Sequence, residues 1–192
     1  AARASRSSRR CVAPTRPAEH GIGCVALPLS RKFAIGPARS TPIGHGVQKA
    51  VLAAKADVGF GFDGDGDRCG VVDNEGEEIF ADKVGVMLAR DISRLHPGAT
   101  FVVDVKSTGL FMTDPVLAKN GARALYWKTG HSYMKRYTHE QKALVGFEKS
   151  GHFFFNKPIG RGYDDGMIFA LAVCDMLDRN PDKSMADLRK AL

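Results

Sequence analysis

From Val47 onward the sequence predicts an α/β fold of layered αβα domains with a mainly parallel sheet, and three observations carry that reading. Apolar runs of strand length alternate with segments of helical periodicity. Gly, Pro and Asn stand between them, where elements must stop. An Asp-rich loop follows directly on an apolar strand, at the C-terminal strand end where α/β sheets place their ligands.

The elements are predicted in order. Val47 to Lys55 reads as a short helix, and Ala56-Asp57-Val58-Gly59-Phe60-Gly61-Phe62 as a buried strand that delivers the Asp loop. Cys69 to Val72 and Glu78 to Phe80 fit a hairpin around Asn74-Glu75-Gly76, after which Asp82 caps a helix running to about Leu95. Strand Thr100 to Val105, helix Leu110 to Asn120 and strand Ala122 to Trp127 open a second unit, with Gly121 stopping the helix. A helix from about Ser132, a strand from Ala143 to Phe147 and a helix from Asp164 to Leu177 complete it, the last with an apolar stripe at Met167, Ile168, Leu171, Met176 and Leu177 and with Pro181 beyond its end. Phe153, Phe154 and Phe155 read as core, and Asp164 and Asp165 as caps of the last helix.

Residues 1–46 differ in kind. Arg, Ser, Pro and Gly dominate, apolar residues show no period, and Pro14, Pro17, Pro28, Pro37 and Pro42 interrupt any element, so little structure is expected there. The Arg- and Ser-rich, acid-poor start also resembles an organellar transit peptide, and a misread or fused start fits the same residues. This segment explains the net charge of +7: residues 1–56 hold 10 Lys and Arg and one acid, a net of +9, which leaves +7 − 9 = −2 for the other 136 residues. A nucleic-acid-binding basic face is therefore not expected for the folded part. No apolar run has the length to cross a bilayer and no secretory signal core is present, so a cytoplasmic protein is expected. Cys11, Cys24, Cys69 and Cys174 show neither C-x-x-C nor zinc spacing and read as reduced thiols.

The chemistry concentrates in Asp63-Gly64-Asp65-Gly66-Asp67-Arg68. Glycine permits the positive φ and sharp turns that let alternate carboxylates converge instead of pointing to opposite strand faces. Three converging anionic oxygens call for a hard divalent cation, Mg²⁺ or Ca²⁺ in preference to Zn²⁺. An EF-hand loop starting at Asp63 is excluded: it needs Gly at its sixth and Glu at its twelfth position, where the chain has Arg68 and Asn74, and a helix in place of the preceding strand. The Asp-x-Asp-Gly pattern of haloacid-dehalogenase-type phosphatases fits Asp63 and Asp65, but Asp67 stands where that pattern has Thr or Val.

With Asp104-Val105-Lys106-Ser107-Thr108, Lys128-Thr129-Gly130-His131-Ser132 and Glu148-Lys149-Ser150-Gly151-His152 following in order, the chain from about residue 47 resembles the α-D-phosphohexomutase family, phosphomannomutase/phosphoglucomutase type. The resemblance implies a fold like domains 2 and 3 of that family. Residues 47–76 would be the C-terminal part of domain 2 with the metal loop, and 77–192 most of domain 3 with a sugar-binding loop. It implies Mg²⁺ at Asp63, Asp65 and Asp67, catalytic roles for Arg68, Lys106, His131 and His152, and substrate contacts from Glu148, Ser150, Lys106, His131 and His152. The reaction implied is phosphoryl transfer between O1 and O6 of mannose or glucose phosphates through a phosphoserine and a bisphosphate intermediate. No Ser-His-Asn-Pro phosphoserine loop occurs in these 192 residues, so the chain is expected to be inactive alone and to need the remaining domains of a parent chain as partners. A haloacid-dehalogenase-like sugar phosphatase and a non-catalytic metal- or sugar-phosphate-binding module remain as alternatives.

Overall fold

A computed structural model describes residues 23–25, 31–37 and 45–192. Its first sheet has the order β1-β2-β3-β4-β5, from β1 (Gly23–Val25), β2 (Phe33–Pro37), β3 (Val58–Phe62), β4 (Cys69–Asp73) and β5 (Glu78–Ile79). Only β2 and β3 pair in parallel. The second sheet has the order β7-β6-β8-β9, from β6 (Thr100–Asp104), β7 (Arg123–Trp127), β8 (Val145–Phe147) and β9 (Phe153–Phe155), with β6 parallel to both β7 and β8 and β8 antiparallel to β9. The sheets are thus mixed, where a mainly parallel arrangement is expected from the sequence. Loop length is the reason. Residues 63–68 and 148–152 are too short for the crossover that a parallel connection requires, so each can only join antiparallel neighbours.

The helices α1 (His45–Ala54), α2 (Ala81–Leu95), α3 (Leu110–Thr113), α4 (Pro115–Lys119), α5 (His131–Glu140), α6 (Gly166–Asp178) and α7 (Met185–Lys190) form three layers around these sheets. Period-2 alternation sorts the strand residues. Val58 and Phe60 of β3, Cys69 and Val71 of β4, Phe101 and Val103 of β6, Val145 and Phe147 of β8, and Phe153 and Phe155 of β9 all face one core. That core also takes Met87, Leu88 and Ile92 of α2 and Phe169, Val173 and Leu177 of α6. On the opposite face of the first sheet, Ala34 and Val72 pack under Val47 and Val51 of α1. On the opposite face of the second, Val102 and Phe154 pack under Met134 of α5. A central helical layer therefore serves two sheets at once. Phe153 sits at its middle, its ring 5.1 Å from Phe147 and 4.5 Å from Phe169, both edge-on.

Several sequence expectations are corrected here. The N-terminal segment is not structureless throughout: β2 lies inside the first sheet with Phe33 and Ala34 buried, and Arg31 donates to Asp57 Oδ1 and to the carbonyls of Asn180 and Lys183 beyond α6. A five-residue run that ends in Pro37 carries too little pattern to be legible, and its partner strand β3 lies more than twenty residues away. Expectations for residues 1–22, 26–30 and 38–44 lie outside the described residues. Asp82 does not cap α2. It sits inside the first turn, and its carboxylate accepts the Thr108 N–H at 3.0 Å, while Phe80 occupies the cap position without a side-chain bond. The single helix expected from Leu110 to Asn120 is two, because Pro115 cannot continue the first and Asp114 caps the second through the N–H groups of Val116 and Leu117. Beyond the N-terminal strands β1 and β2, two elements are additional: β9, and α7, whose Ser184 and Asp187 form a reciprocal capping box. The hairpin carries the first sheet through Ile79, so the break between the sheets follows residue 79.

Buried charge ties the layers. Asp73 is fully buried and accepts from the N–H groups of Glu75 and Glu77 and from Arg189 Nε of α7 at 2.6 Å. Asp114, with a side chain 1% exposed, pairs with Arg90 of α2 at 2.5 Å. Burial raises the Asp114 carboxyl, but Arg90 and the cap N–H groups outweigh it and hold the group below the usual carboxylate range. Removing one partner of such a pair strands the other. Asp114→Ala is therefore expected to cost about 3 to 5 kcal/mol in urea unfolding, and Arg90→Ala combined with Asp114→Ala to cost less than the sum of the two single changes.

Candidate functional site

The two short loops that fix the strand directions meet each other. The 63–68 loop joins β3 to β4, the 148–152 loop joins β8 to β9, and Arg68 and His152 form an antiparallel bridge between them. A third segment closes on this contact: the Gly166 N–H, at the start of α6, donates to the Gly66 carbonyl at 3.1 Å. A Cβ on Gly166 would stand 2.7 Å from that oxygen and 3.1 Å from the Arg68 carbonyl, so only glycine allows this approach. Gly66 has φ +77, which supplies the turn expected of the loop.

Asp63, Asp65 and Asp67 each offer a carboxylate oxygen, and these atoms lie within 4.8 Å of one another. Asp63 is the organiser. Its Oδ1 accepts the N–H groups of Gly66 and Arg68, and its Oδ2 takes Arg68 Nε at 2.5 Å. Burial raises the Asp63 carboxyl, but the Arg68 side chain, the Arg68 charge and the loop N–H groups outweigh it and hold the group below its usual range. Asp67 goes the other way. Burial pushes it up, and repulsion from Asp63, Asp65 and Asp164 adds to that against the attraction of His152. Its Oδ1 is buried with no hydrogen-bond partner among the described residues, Arg68 Nε standing 3.8 Å away. An acidic triad with one buried oxygen that accepts no hydrogen bond among the described residues is the donor set a hard divalent ion satisfies, so the residues fit Mg²⁺.

Beside the triad, Asp164 Oδ2 is shared by two imidazoles, His131 Nε2 at 2.7 Å and His152 Nδ1 at 3.1 Å. Burial raises Asp164, yet its own backbone N–H and the two histidines hold it low. An ionised carboxylate only accepts, so both ring nitrogens facing it carry protons. The opposite nitrogens, His131 Nδ1 and His152 Nε2, are left with their own chemistry. Asp165, not Asp164, caps α6, through the N–H groups of Met167 and Ile168. The expected capping role is thus right for one aspartate of the pair, and Asp164 is a site residue that sequence reasoning missed. No local pattern distinguishes the two, because the difference is which one the β9 end presents to His131.

Glu148 is 4% exposed, in contrast to a surface charge paired with Lys149. Its Oε1 accepts the Gly130 N–H at 3.1 Å, and its Oε2 is buried without a partner among the described residues. Lys149 instead reaches toward Asp82, 3.9 Å away. The remaining predicted residues hang from Asp104, which is fully buried at the end of β6. Its carboxylate accepts the Ser107 hydroxyl, the Thr129 hydroxyl at 3.1 Å and the Lys149 N–H at 3.3 Å, one from each loop that follows β6, β7 and β8. Lys106 and Ser150 ride on two of these loops with exposed side chains. The structure therefore joins Asp63, Asp65, Asp67, Arg68, His131 and His152 directly, and brings Glu148, Lys106 and Ser150 to the same strand ends through shared loops. Cys69 and Cys174 are buried and free, with burial pushing the first thiol well up and the second to about 12, so both are inert. Cys11 lies outside the described residues.

Fold and site together define an α/β protein with an acidic loop and an imidazole-carboxylate cluster set against each other at strand ends. Residues 80–192 match the family model described as phosphoglucomutase/phosphomannomutase, alpha/beta/alpha domain III, and the chain belongs to that family. It is 41% identical over 130 residues to a phosphomannomutase/phosphoglucomutase of Pseudomonas aeruginosa, covering 68% of this chain and 27% of the relative. A phosphoglucomutase of Neisseria meningitidis is 37% identical over 151 residues, covering 76% and 32%. Among solved structures, a phosphoglucomutase/phosphomannomutase family protein from Burkholderia thailandensis aligns with TM-score 0.66 and 35% identity over 76% of this chain and 30% of that one. An N-acetylphosphoglucosamine mutase from Aspergillus fumigatus, solved with GlcNAc-6P and magnesium, shares the fold at TM-score 0.53 and 16% identity, covering 68% and 34%. The chain thus spans about a quarter to a third of the length of the curated relatives it matches.

Two outcomes follow. Alanine at an exposed helix position usually stabilises relative to glycine, by up to about 1 kcal/mol. Gly166→Ala is instead expected to destabilise by about 1 to 3 kcal/mol, as overpacking does, and to weaken Mg²⁺ binding, read by thermal melts and titration calorimetry. The second concerns Asp67, whose folded-state pKa lies above its unfolded value. Its contribution to stability is complete below the unfolded pKa and is lost as pH rises through the folded one. Asp67→Asn should therefore melt higher than the parent at neutral pH without divalent cations, the gap closing as pH falls below the carboxylate range, and should bind Mg²⁺ more weakly.

Proposed function

We propose that this chain is the part of a phosphohexomutase that carries the metal loop and the sugar-binding loop, with residues 47–79 contributing to domain 2 and residues 80–192 forming most of domain 3. The reaction is the Mg²⁺-dependent exchange of a phosphoryl group between O1 and O6 of a hexose phosphate of the mannose or glucose type. The observation that supports it most is the Arg68–His152 bridge, which sets the cation loop against the histidine of the sugar loop, as a phosphoryl group moving between enzyme and sugar requires. Magnesium in the Aspergillus mutase of the same fold supports the choice of ion.

Asp63, Asp65 and Asp67 would hold the cation, which when bound neutralises charge on the transferring phosphoryl group. Arg68, fixed through Nε by Asp63, keeps its terminal nitrogens for phosphate oxygens. His152, with its Nδ1 proton held on Asp164, presents Nε2 to receive the proton that the attacking sugar hydroxyl gives up and to return it to the leaving oxygen in the reverse half. His131, oriented by the same carboxylate, and Lys106 position the phosphate that is not being transferred. Glu148 and Ser150 hold sugar hydroxyls. The buried, unpartnered Glu148 Oε2 is an acceptor that a hydroxyl donor would satisfy. The phosphoserine would belong to the remaining domains of a parent chain.

The chain alone should show no interconversion of glucose or mannose 1- and 6-phosphates in a coupled assay, and turnover by it would overturn the proposal. In the full-length parent, Glu148→Ala should lower kcat/KM for the 1- and 6-phosphates by similar factors of about tenfold or more, since loss of a charged hydrogen-bond acceptor costs about 1.5 to 3 kcal/mol. Lys149→Ala should change little.

A further inference from the structure

We propose that His131, His152 and Asp164 form a second cation site, chemically distinct from the Asp63-Asp65-Asp67 loop and selective for a borderline transition ion such as Zn²⁺. One nitrogen from each imidazole and one Asp164 oxygen lie within 4.8 Å of one another. Two nitrogens and an oxygen are a donor set for zinc, whereas the neighbouring loop offers oxygen only and suits magnesium. The two groups are separate by ligand type although they adjoin in space.

The geometry needs little change. Bonds of 2.0–2.1 Å in a tetrahedron place ligand atoms about 3.4 Å apart, and the present separations from Asp164 Oδ2 are 2.7 Å and 3.1 Å. An ion would replace the two protons that now bridge these atoms, and an opening of about half an ångström accommodates it. The side chain of His131 begins α5 and is 42% exposed, so this corner can both move and admit an ion from solvent. The more buried His152 and Asp164, 17% and 9% exposed, supply the fixed side of the site. The fourth position of the tetrahedron is left to water. Binding does not depend on the mutase reading. Only its consequence does: an occupied site would withdraw both imidazoles from phosphate and proton chemistry.

The test uses the 192-residue chain. Zn²⁺ is titrated while the imidazole resonances of His131 and His152 are followed by NMR, and affinity is taken from competition with a chromophoric chelator. Cys11, Cys24 and His20 can also take zinc in solution, so the imidazole signals are the primary readout. Both histidines should shift with saturable Zn²⁺ binding, and His131→Gln or His152→Gln should weaken that site by about tenfold or more, at least the loss typical of an outer-shell change. Asp65→Asn should leave the zinc response unchanged while weakening Mg²⁺. His131→Gln should still bind Mg²⁺ like the parent, which shows that it folds. Unmoved imidazole resonances, equal zinc affinity in His131→Gln, or loss of the zinc response in Asp65→Asn would each overturn the proposal.

Discussion

Everything in the site depends on one backbone contact, the antiparallel bridge between Arg68 and His152. Each residue ends a short hairpin loop, and each loop belongs to a different sheet. Without the bridge, the acidic loop and the histidine loop would be two unrelated turns. With it, Asp67 comes within 3.6 Å of His152, and the pair shares a charge environment with Asp164. Gly166 locks the arrangement from behind, because its lack of a side chain lets α6 begin against the loop carbonyls.

The electrostatics show how the fold holds a reactive arrangement stably. Asp63 and Asp164 are given cationic or N–H partners and sit low, while burial and three neighbouring carboxylates hold Asp67 high against the attraction of His152. Among the described residues, Asp67 Oδ1 and Glu148 Oε2 are the buried side-chain oxygens that accept no hydrogen bond. Perturbed groups of this kind cluster at functional sites because a ligand is what relieves them. Asp104 is the opposite case. It is fully satisfied by three donors from three loops, which makes it a fixed anchor and not a reacting group.

Much of the site was legible in the sequence because its residues lie in short contiguous motifs. The alternation of Asp and Gly from Asp63 to Asp67 announces converging carboxylates before any fold is known. Most strands and helices after Val47 were legible for a similar reason: their periodicity is local. What was not legible is non-local. β2 is defined by pairing with β3, a partner distant in sequence, and Pro37 at its end conceals it. Asp164 and Asp165 look alike until a histidine from α5 selects one of them. The burial of Glu148 cannot be inferred from a strand-end acid beside a lysine, since the lysine turns to Asp82 instead. The mixed strand directions were not legible because αβ alternation suggests crossovers, whereas the loops at residues 63–68 and 148–152 are too short to make them.

The central helical layer has a consequence for how this family's domains are named. A boundary at residue 79 or 80 divides the sheets, yet it does not divide the core, because Phe60 and Val71 face the same apolar interior as Phe101, Phe147 and Phe169. Asp73 and Asn74 further bind the last helix to the first sheet. A segment beginning at residue 80 would therefore carry a complete second sheet with one flank of its helices bare to water. In this protein the length of chain that matches the family model and the length that shares one apolar core are different.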